Sequence, residues 1–357
     1  MRIAIDSTPL QRHAGVGGLA RYTSQLVSAL ARAFPDDEFI LLSDQPFHLP
    51  CAAPNLRAGD PPASLLERRW WTYGLPRELK RQSAEVFHGV DFAVPFPAVV
   101  PAVMTIHDLS PWASGHWVND AWRARTARVR KRVPWMIRSG AARHIITPSE
   151  TIRAEVIRFF RVDPGRVTAI PLAAAAHFRP QPIVPEARPY FLYAGMFEAR
   201  KNVTAVIEAW SAIHAALDVD LVLAGPHREE IPIAAPRPGL ILRGEVPESE
   251  LAALYSGAIA LVYPTHYEGF GLPVLEAMQC GTPVIISRDA ALMETAGDAA
   301  ISTDDLADHL CGAMRALIDN PQLRADLRAR SLARAALFSW ERTARRTHHV
   351  YQGMLAG

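Results

Sequence analysis

One pattern repeats along most of this chain: a short apolar run of strand length, then a longer stretch with helical periodicity. In the first half the runs are "RIAID", "FILLSD", "VFHG", "AVMTIHD", "HIITPS" and "VTAIPL". Between them lie amphipathic stretches such as "GLARYTSQLVSALARAF" and "SETIRAEVIRFF". The second half repeats the order with "YFLYAG", "DLVLAG", "GLILRG", "AIALVYPT" and "TPVIISR". Runs that are apolar throughout, rather than alternating, suit strands buried on both faces of a parallel sheet. A chain of 357 residues is too long for one ordinary core, so two doubly wound α/β domains are expected. The break falls in "AAAAHFRPQPIVPEARP", which lacks periodicity and is proline-rich from Pro180 to Pro189. This gives domains 1–175 and 176–337. Residues 338–357 form a terminal helix expected to pack back on the first domain. Two such sheets would face a cleft at the carboxyl ends of their strands, where sheets of this kind bind ligands.

Bulk properties narrow the function. The net charge of +2 excludes a general nucleic-acid binder, so any basic function is local. Cys51, Cys280 and Cys311 form no C-x-x-C pair, which favours free thiols in a reducing compartment. No apolar signal core follows "MRIAIDSTPL", so a cytosolic start is expected. The most apolar stretch, 86–108, is broken by Pro95, Pro97 and Pro101 and carries His and Asp, so it is not a membrane helix.

The stretch "HYEGFGLPVLEAMQCGTPVI" (266–285) sets Glu268 and Glu276 around a glycine turn. Pro273 suits the first turn of a helix, and Gly281 suits the position just past its end. Backbone N–H groups of the turn Gly269, Phe270, Gly271 and Leu272, with the positive end of the helix dipole, would favour a phosphate. Glu276, about one turn inside, would then need hydroxyl donors such as a ribose, and Glu268 could meet a sugar beyond the diphosphate. A helix with an acidic first turn explains the stretch equally well when it is taken alone. A second feature adds weight: Arg200 and Lys201 open the helix after "YFLYAG", where cations are unfavourable without an anionic partner. A bound diphosphate supplies that partner.

"EGFGLPVLE", with "RKN" after a strand and glycine, resembles the retaining glycosyltransferases of family 4, and the resemblance spans essentially the whole chain. It implies the GT-B fold, two Rossmann-like domains facing a central cleft. It implies that Glu268 contacts the donor sugar, that Arg200 and Lys201 bind the diphosphate and that Glu276 binds the ribose. The backbone around Val246 in "LILRGEVPESEL" would frame the nucleobase. No metal and no cofactor are expected beyond the nucleotide-sugar substrate.

In the first half Gly15, Gly17 and Ala20 match G-x-G-x-x-A, but they lie well past the first strand and no ribose acid ends the second, so a nicotinamide site is disfavoured. The resemblance instead places Gly17 and Gly18 beside the donor phosphate. It places His107, in "HD" after a strand, at the hexose; a lone histidine there is otherwise structural. It also implies a front-face mechanism in which the leaving diphosphate helps to deprotonate the acceptor. Residues 121–147 carry eight Arg/Lys and no acid, with Trp122 and Trp135 nearby. This is either a solvated basic helix or an anionic-membrane surface suited to a lipid-linked acceptor.

The overall pattern looks most like bacterial mannosyl- or rhamnosyltransferases of surface-polysaccharide assembly. The expected activity is hexose transfer, with retention, from a nucleoside-diphosphate sugar to a glycan or lipid-linked glycan. A GDP-sugar is the first expectation for the donor. The expected place is the cytoplasm, peripherally on the inner face of the membrane. A GT-B nucleotide-sugar epimerase and an inactive sugar-nucleotide binding protein are the rival readings.

Overall fold

The computed structural model describes residues 1–11, 17–182, 188–227 and 237–356; Gly15 lies outside them. The chain divides into two units. The first is Met1–Ala113, Asp120–Leu172 and Ser339–Gly357, and the second is Ser114–Asn119 and Ala173–Phe338.

Among the described residues, the first unit holds a seven-stranded sheet. Its strands are β1 (Arg2–Asp6), β2 (Glu38–Leu42), β3 (Leu56–Ala58), β4 (Val86–Gly89), β5 (Ala102–Thr105), β6 (His144–Thr147) and β7 (Val167–Ala169). Their order is β3-β2-β1-β4-β5-β6-β7, and every pairing is parallel. The helices α1 (Gly18–Ala33), α2 (Leu75–Arg81), α3 (Asp120–Arg138) and α4 (Glu150–Phe160) connect them. β4 and β5 are buried at every position, as expected for strands covered on both faces.

The second unit repeats the plan with β8 (Tyr190–Ala194), β9 (Asp220–Ala224), β10 (Leu240–Gly244), β11 (Leu261–Tyr263), β12 (Val284–Ser287) and β13 (Ile301–Thr303). Their order is β10-β9-β8-β11-β12-β13, again all parallel. Its helices are α5 (Val203–Ser211), α6 (His214–Leu217), α7 (Glu248–Gly257), α8 (Leu272–Gln279), α9 (Ala290–Ala296), α10 (Ala307–Asp319) and α11 (Pro321–Ala335). Each sheet reverses direction once, between β1 and β4 and between β8 and β11. At such a reversal the two connecting helices lie on opposite faces, and the loops after the two central strands splay apart to leave a crevice.

The last helix, α12 (Trp340–Ala356), lies in the first unit against α1. A buried polar row fixes it. Tyr351 Oη is 2.7 Å from His88 Nδ1, and His88 Nε2 is 2.7 Å from Thr105 Oγ1, which also meets Tyr22 Oη at 3.2 Å. Burial, with His107 nearby, pulls His88 down to about 3. The ring is therefore neutral, and each nitrogen has a partner, as a polar group removed from water requires.

Candidate active site

The two loops after the central strands of the second sheet carry the residues of interest. After β8 the chain forms a short 3-10 turn, Ala199–Lys201, then Asn202 with φ 53°, then α5. Arg200 and Lys201 were expected to open this helix. They stand on the turn before it instead, one and two residues ahead of its N-cap Asn202. After β11 comes the segment from Pro264 to Gly271, then α8.

The loops meet through both main chain and side chains. His266 N–H and Thr265 Oγ1 each donate to the Arg200 carbonyl at 2.9 Å. Arg200 Nη1 returns a bond to the Tyr267 carbonyl at 2.6 Å, and Nη2 reaches Glu198 Oε1 at 2.9 Å. Lys201 Nζ is ion-paired with Glu268 Oε1 and lies 2.5 Å from Tyr263 Oη. Tyr263 Oη also donates to Glu268 Oε1 at 2.9 Å, and Arg200 Nη1 is 3.6 Å from Glu268 Oε2. Side-chain exposure is 12% for Arg200, 11% for Lys201 and 10% for Glu268. These charges are largely out of water and are held by one another.

Burial by itself raises Glu268, but the charges of Lys201 and Arg200 and the bonds from Lys201 and Tyr263 outweigh it. The carboxyl is held below its usual range and is ionised at neutral pH. Behind it, Asp289 caps α9, its Oδ1 accepting from Ala291 N and Leu292 N at 3.0 Å, while its Oδ2 accepts from Glu268 N at 3.2 Å. Sequence reasoning missed Glu198, Tyr263 and Asp289. The signal for Tyr263 was a hydroxyl-bearing residue ending an otherwise aliphatic strand.

The glycine turn is built as an anion-receptive helix start. Gly271, at φ 88°, caps α8, and a Cβ there would stand 2.4 Å from Leu292 Cδ2. Phe270 is buried, with its carbonyl accepting from Thr295 Oγ1 at 2.6 Å. The helix ends in a Schellman arrangement, Gly281 N–H to Met278 O and Thr282 N–H to Ala277 O, both 2.9 Å, with Gly281 at φ 76°. Glu276 is 1% exposed and accepts from Tyr255 Oη of α7 at 3.2 Å. Val246 lies half-buried in the loop between β10 and α7.

In the first unit His107 follows β5. Its Nε2 donates to the Val90 carbonyl at 2.9 Å, and its ring meets Tyr22 edge-on at 4.7 Å. Burial lowers its pKa, so the ring is neutral with Nδ1 as its acceptor nitrogen. Gly17, at φ 113°, caps α1 and Gly18 begins it.

Among the described residues no three His, Cys, Asp or Glu side chains are grouped to hold a metal ion. An Asp-x-Asp does occur, Asp218-Val219-Asp220, which sequence reading overlooked. It lies where β9 begins, opposite the end carrying Arg200, and Arg188 pairs with both carboxylates.

Two parallel sheets with cationic and glycine loops at a strand-order reversal define a doubly wound α/β protein with a candidate site at that reversal, and comparison with known proteins makes the class specific. Residues 176–334 match the family "Glycosyl transferases group 1" and residues 16–178 match "Glycosyltransferase Family 4". The chain is 30% identical over 292 residues to the O-antigen chain mannosyltransferase B of Escherichia coli, covering 75% of this chain and 74% of that protein. Its fold is shared with the sucrose-phosphate synthase of Thermosynechococcus elongatus, at a TM-score of 0.74, 22% identity, and coverage of 100% and 99%. It is also shared with Anabaena HepE in complex with UDP-glucose, at a TM-score of 0.71, 14% identity, and coverage of 99% and 100%. The chain belongs to the family 4 glycosyltransferases and has the GT-B fold.

Proposed function

We propose that this glycosyltransferase moves a hexose, with retention and without a metal, from a nucleoside-diphosphate sugar to a glycan or lipid-linked glycan. The observation that carries the reading is the buried cluster of Arg200, Lys201 and Glu268 beside the Gly269–Gly271 turn at the head of α8. The two cations and the turn take the diphosphate. Glu268 takes the sugar hydroxyls, Glu276 the ribose, and the backbone near Val246 the base. His107 offers its acceptor nitrogen, Nδ1, to the hexose, and Gly17 and Gly18 present N–H groups to the phosphate. Catalysis is then mostly positioning and stabilisation of leaving-group charge, with the diphosphate itself drawing the acceptor proton.

GDP-mannose is the first donor to test, supported by the likeness to an O-antigen mannosyltransferase. Thermal-shift binding against GDP-, UDP-, ADP- and TDP-sugars, with Arg200→Ala alongside, tests the site. A shift with one nucleotide class, lost in the variant, is expected; no shift with any of them ends the enzyme reading.

We place the reaction at the cytoplasmic face of a membrane. No helix among the described residues is long and apolar enough to cross one. However, α3 exposes Arg123, Arg125, Arg128, Arg130, Lys131 and Arg138. Trp135 of α3 is 44% exposed and meets Phe96, 41% exposed, at 4.0 Å. Cations beside exposed aromatics suit anionic lipid. Vesicles containing anionic lipid should sediment the protein at low salt and release it at high salt; no binding at low salt refutes this placement.

A further inference from the structure

The stretch Ser114–Asn119 (SGHWVN) comes from the first half of the sequence yet clusters with the second unit. Ring and hydrogen-bond contacts of Trp117 and His116 join it to the loop after β11. Trp117, 8% exposed, lies nearly parallel to Tyr267, with ring centroids 6.5 Å and planes 15° apart. His116, exposed, sets its Nε2 3.1 Å from His266 Nε2. His266 Nδ1 in turn faces the Asp305 carboxylate.

One hydrogen in this row can be placed by elimination. A carboxylate only accepts, so His266 Nδ1 carries a hydrogen and donates to Asp305. His116 and His266 share the hydrogen bond between their Nε2 atoms. The result is a row from His116 through His266 to Asp305, whose far end is steadied by Asn202 Nδ2 on the Asp305 carbonyl at 2.9 Å.

The row ends on the working loop. His266 N–H holds the Arg200 carbonyl, the next carbonyl, of Tyr267, holds the Arg200 guanidinium, and the next side chain is Glu268. Moving His266 therefore moves the backbone from which Glu268 projects.

We propose that His116 and Trp117 are positioning residues for sugar transfer, and that the 114–119 strap aims Glu268 by fixing His266 and Tyr267. This rests on Glu268 being the carboxylate at the donor sugar. It divides the labour unequally: turnover depends on where Glu268 is aimed, whereas Lys201, which Tyr263 also holds, and the Gly269–Gly271 turn keep the nucleoside diphosphate when His116 is lost.

The test uses the full chain, GDP and GDP-mannose as probes, UDP and UDP-glucose in parallel, and donor hydrolysis or transfer as turnover. His116→Ala should lower kcat about fivefold, the worth of one modest hydrogen bond, and leave the nucleoside-diphosphate Kd within about twofold and Tm unchanged. His116→Gln, whose amide can still hydrogen-bond His266, should restore most of the loss. Wild-type kcat in His116→Ala overturns the strap while leaving the donor site standing. So does a joint loss of kcat and nucleotide affinity that Gln does not rescue. A wild-type protein that binds neither nucleotide removes the donor reading and the strap with it.

Discussion

Glu268→Gln separates two roles assigned to one carboxylate. The substitution keeps the shape and the acceptor oxygen but removes the charge that faces Lys201 and, at 3.6 Å, Arg200. Removing one partner of a buried ion pair costs about 3–5 kcal/mol. Here Arg200 keeps Glu198 and the Tyr267 carbonyl, and the amide oxygen still accepts from Tyr263 and Lys201, so about 2–3 kcal/mol is expected. For a domain of this size that is a fall in Tm of roughly 5–10 °C at neutral pH. The acid side follows from the depressed carboxyl of Glu268. Its stabilisation is present above its unfolded pKa and is lost as pH falls through the lower folded value. The wild-type advantage should therefore shrink below about pH 4. Two cations left without their carboxylate should bind nucleoside diphosphate more tightly, while sugar transfer falls. Differential scanning fluorimetry across pH, titration with GDP and UDP, and donor turnover give the three readouts. A variant with wild-type Tm and unchanged or weaker diphosphate affinity refutes the account of a buried charge cluster.

Three further outcomes follow from the fold. Tyr351→Phe leaves a buried nitrogen of His88 without its partner and should cost about 1–3 kcal/mol, a Tm loss of roughly 3–10 °C read by scanning calorimetry. Asp6, 2% exposed, has its carboxyl raised by burial to about 7 from 3.8 despite two bonds from Thr8. A raised carboxyl loses stability as pH climbs through that window, by up to about 4 kcal/mol. Asp6→Asn should therefore be more stable than wild type at pH 8 and indistinguishable near pH 4 in urea titrations. Gly271→Ala forces a side chain to φ 88° against Leu292; it should cost at least about 1–2 kcal/mol and weaken the nucleotide-induced thermal shift.

The central strands were legible because a strand covered on both faces is mostly apolar along its whole length, as in "YFLYA". The edges were not. β3 reads "LRA" and β13 "IST", and with one neighbour and partial exposure neither needs an apolar run. The members of the charge cluster were legible in "EGFG" and "ARKN" because adjacent cations before a helix call for an anionic partner. Its arrangement was not. That Arg200 and Lys201 sit on a 3-10 turn depends on Asn202 adopting φ 53°, which no periodicity announces. The join between the 114–119 segment and Tyr267 is a long-range contact between an exposed loop and a working one, and it leaves no local pattern.

On the proposed placement of the donor, with Glu268 at the sugar and the two cations at the diphosphate, the charges would let the site tell substrate from product. Arg200 and Lys201 are matched by Glu198 and Glu268, so the four side chains already sum to zero before any ligand arrives. A diphosphate entering beside the Gly269–Gly271 turn finds cations that are engaged, and it faces a carboxylate that repels it. With a sugar attached, the ligand brings hydroxyl donors for Glu268, and the carboxylate can exchange its cationic partners for the sugar. Lys201 and Arg200 are then released to the phosphates, where leaving-group charge develops. Once the sugar has moved on, Glu268 loses those donors and returns to compete for the cations, which weakens the hold on the departing nucleoside diphosphate. On that placement the buried ion pair would act as a counterweight to product binding and make the intact donor the species the cluster favours.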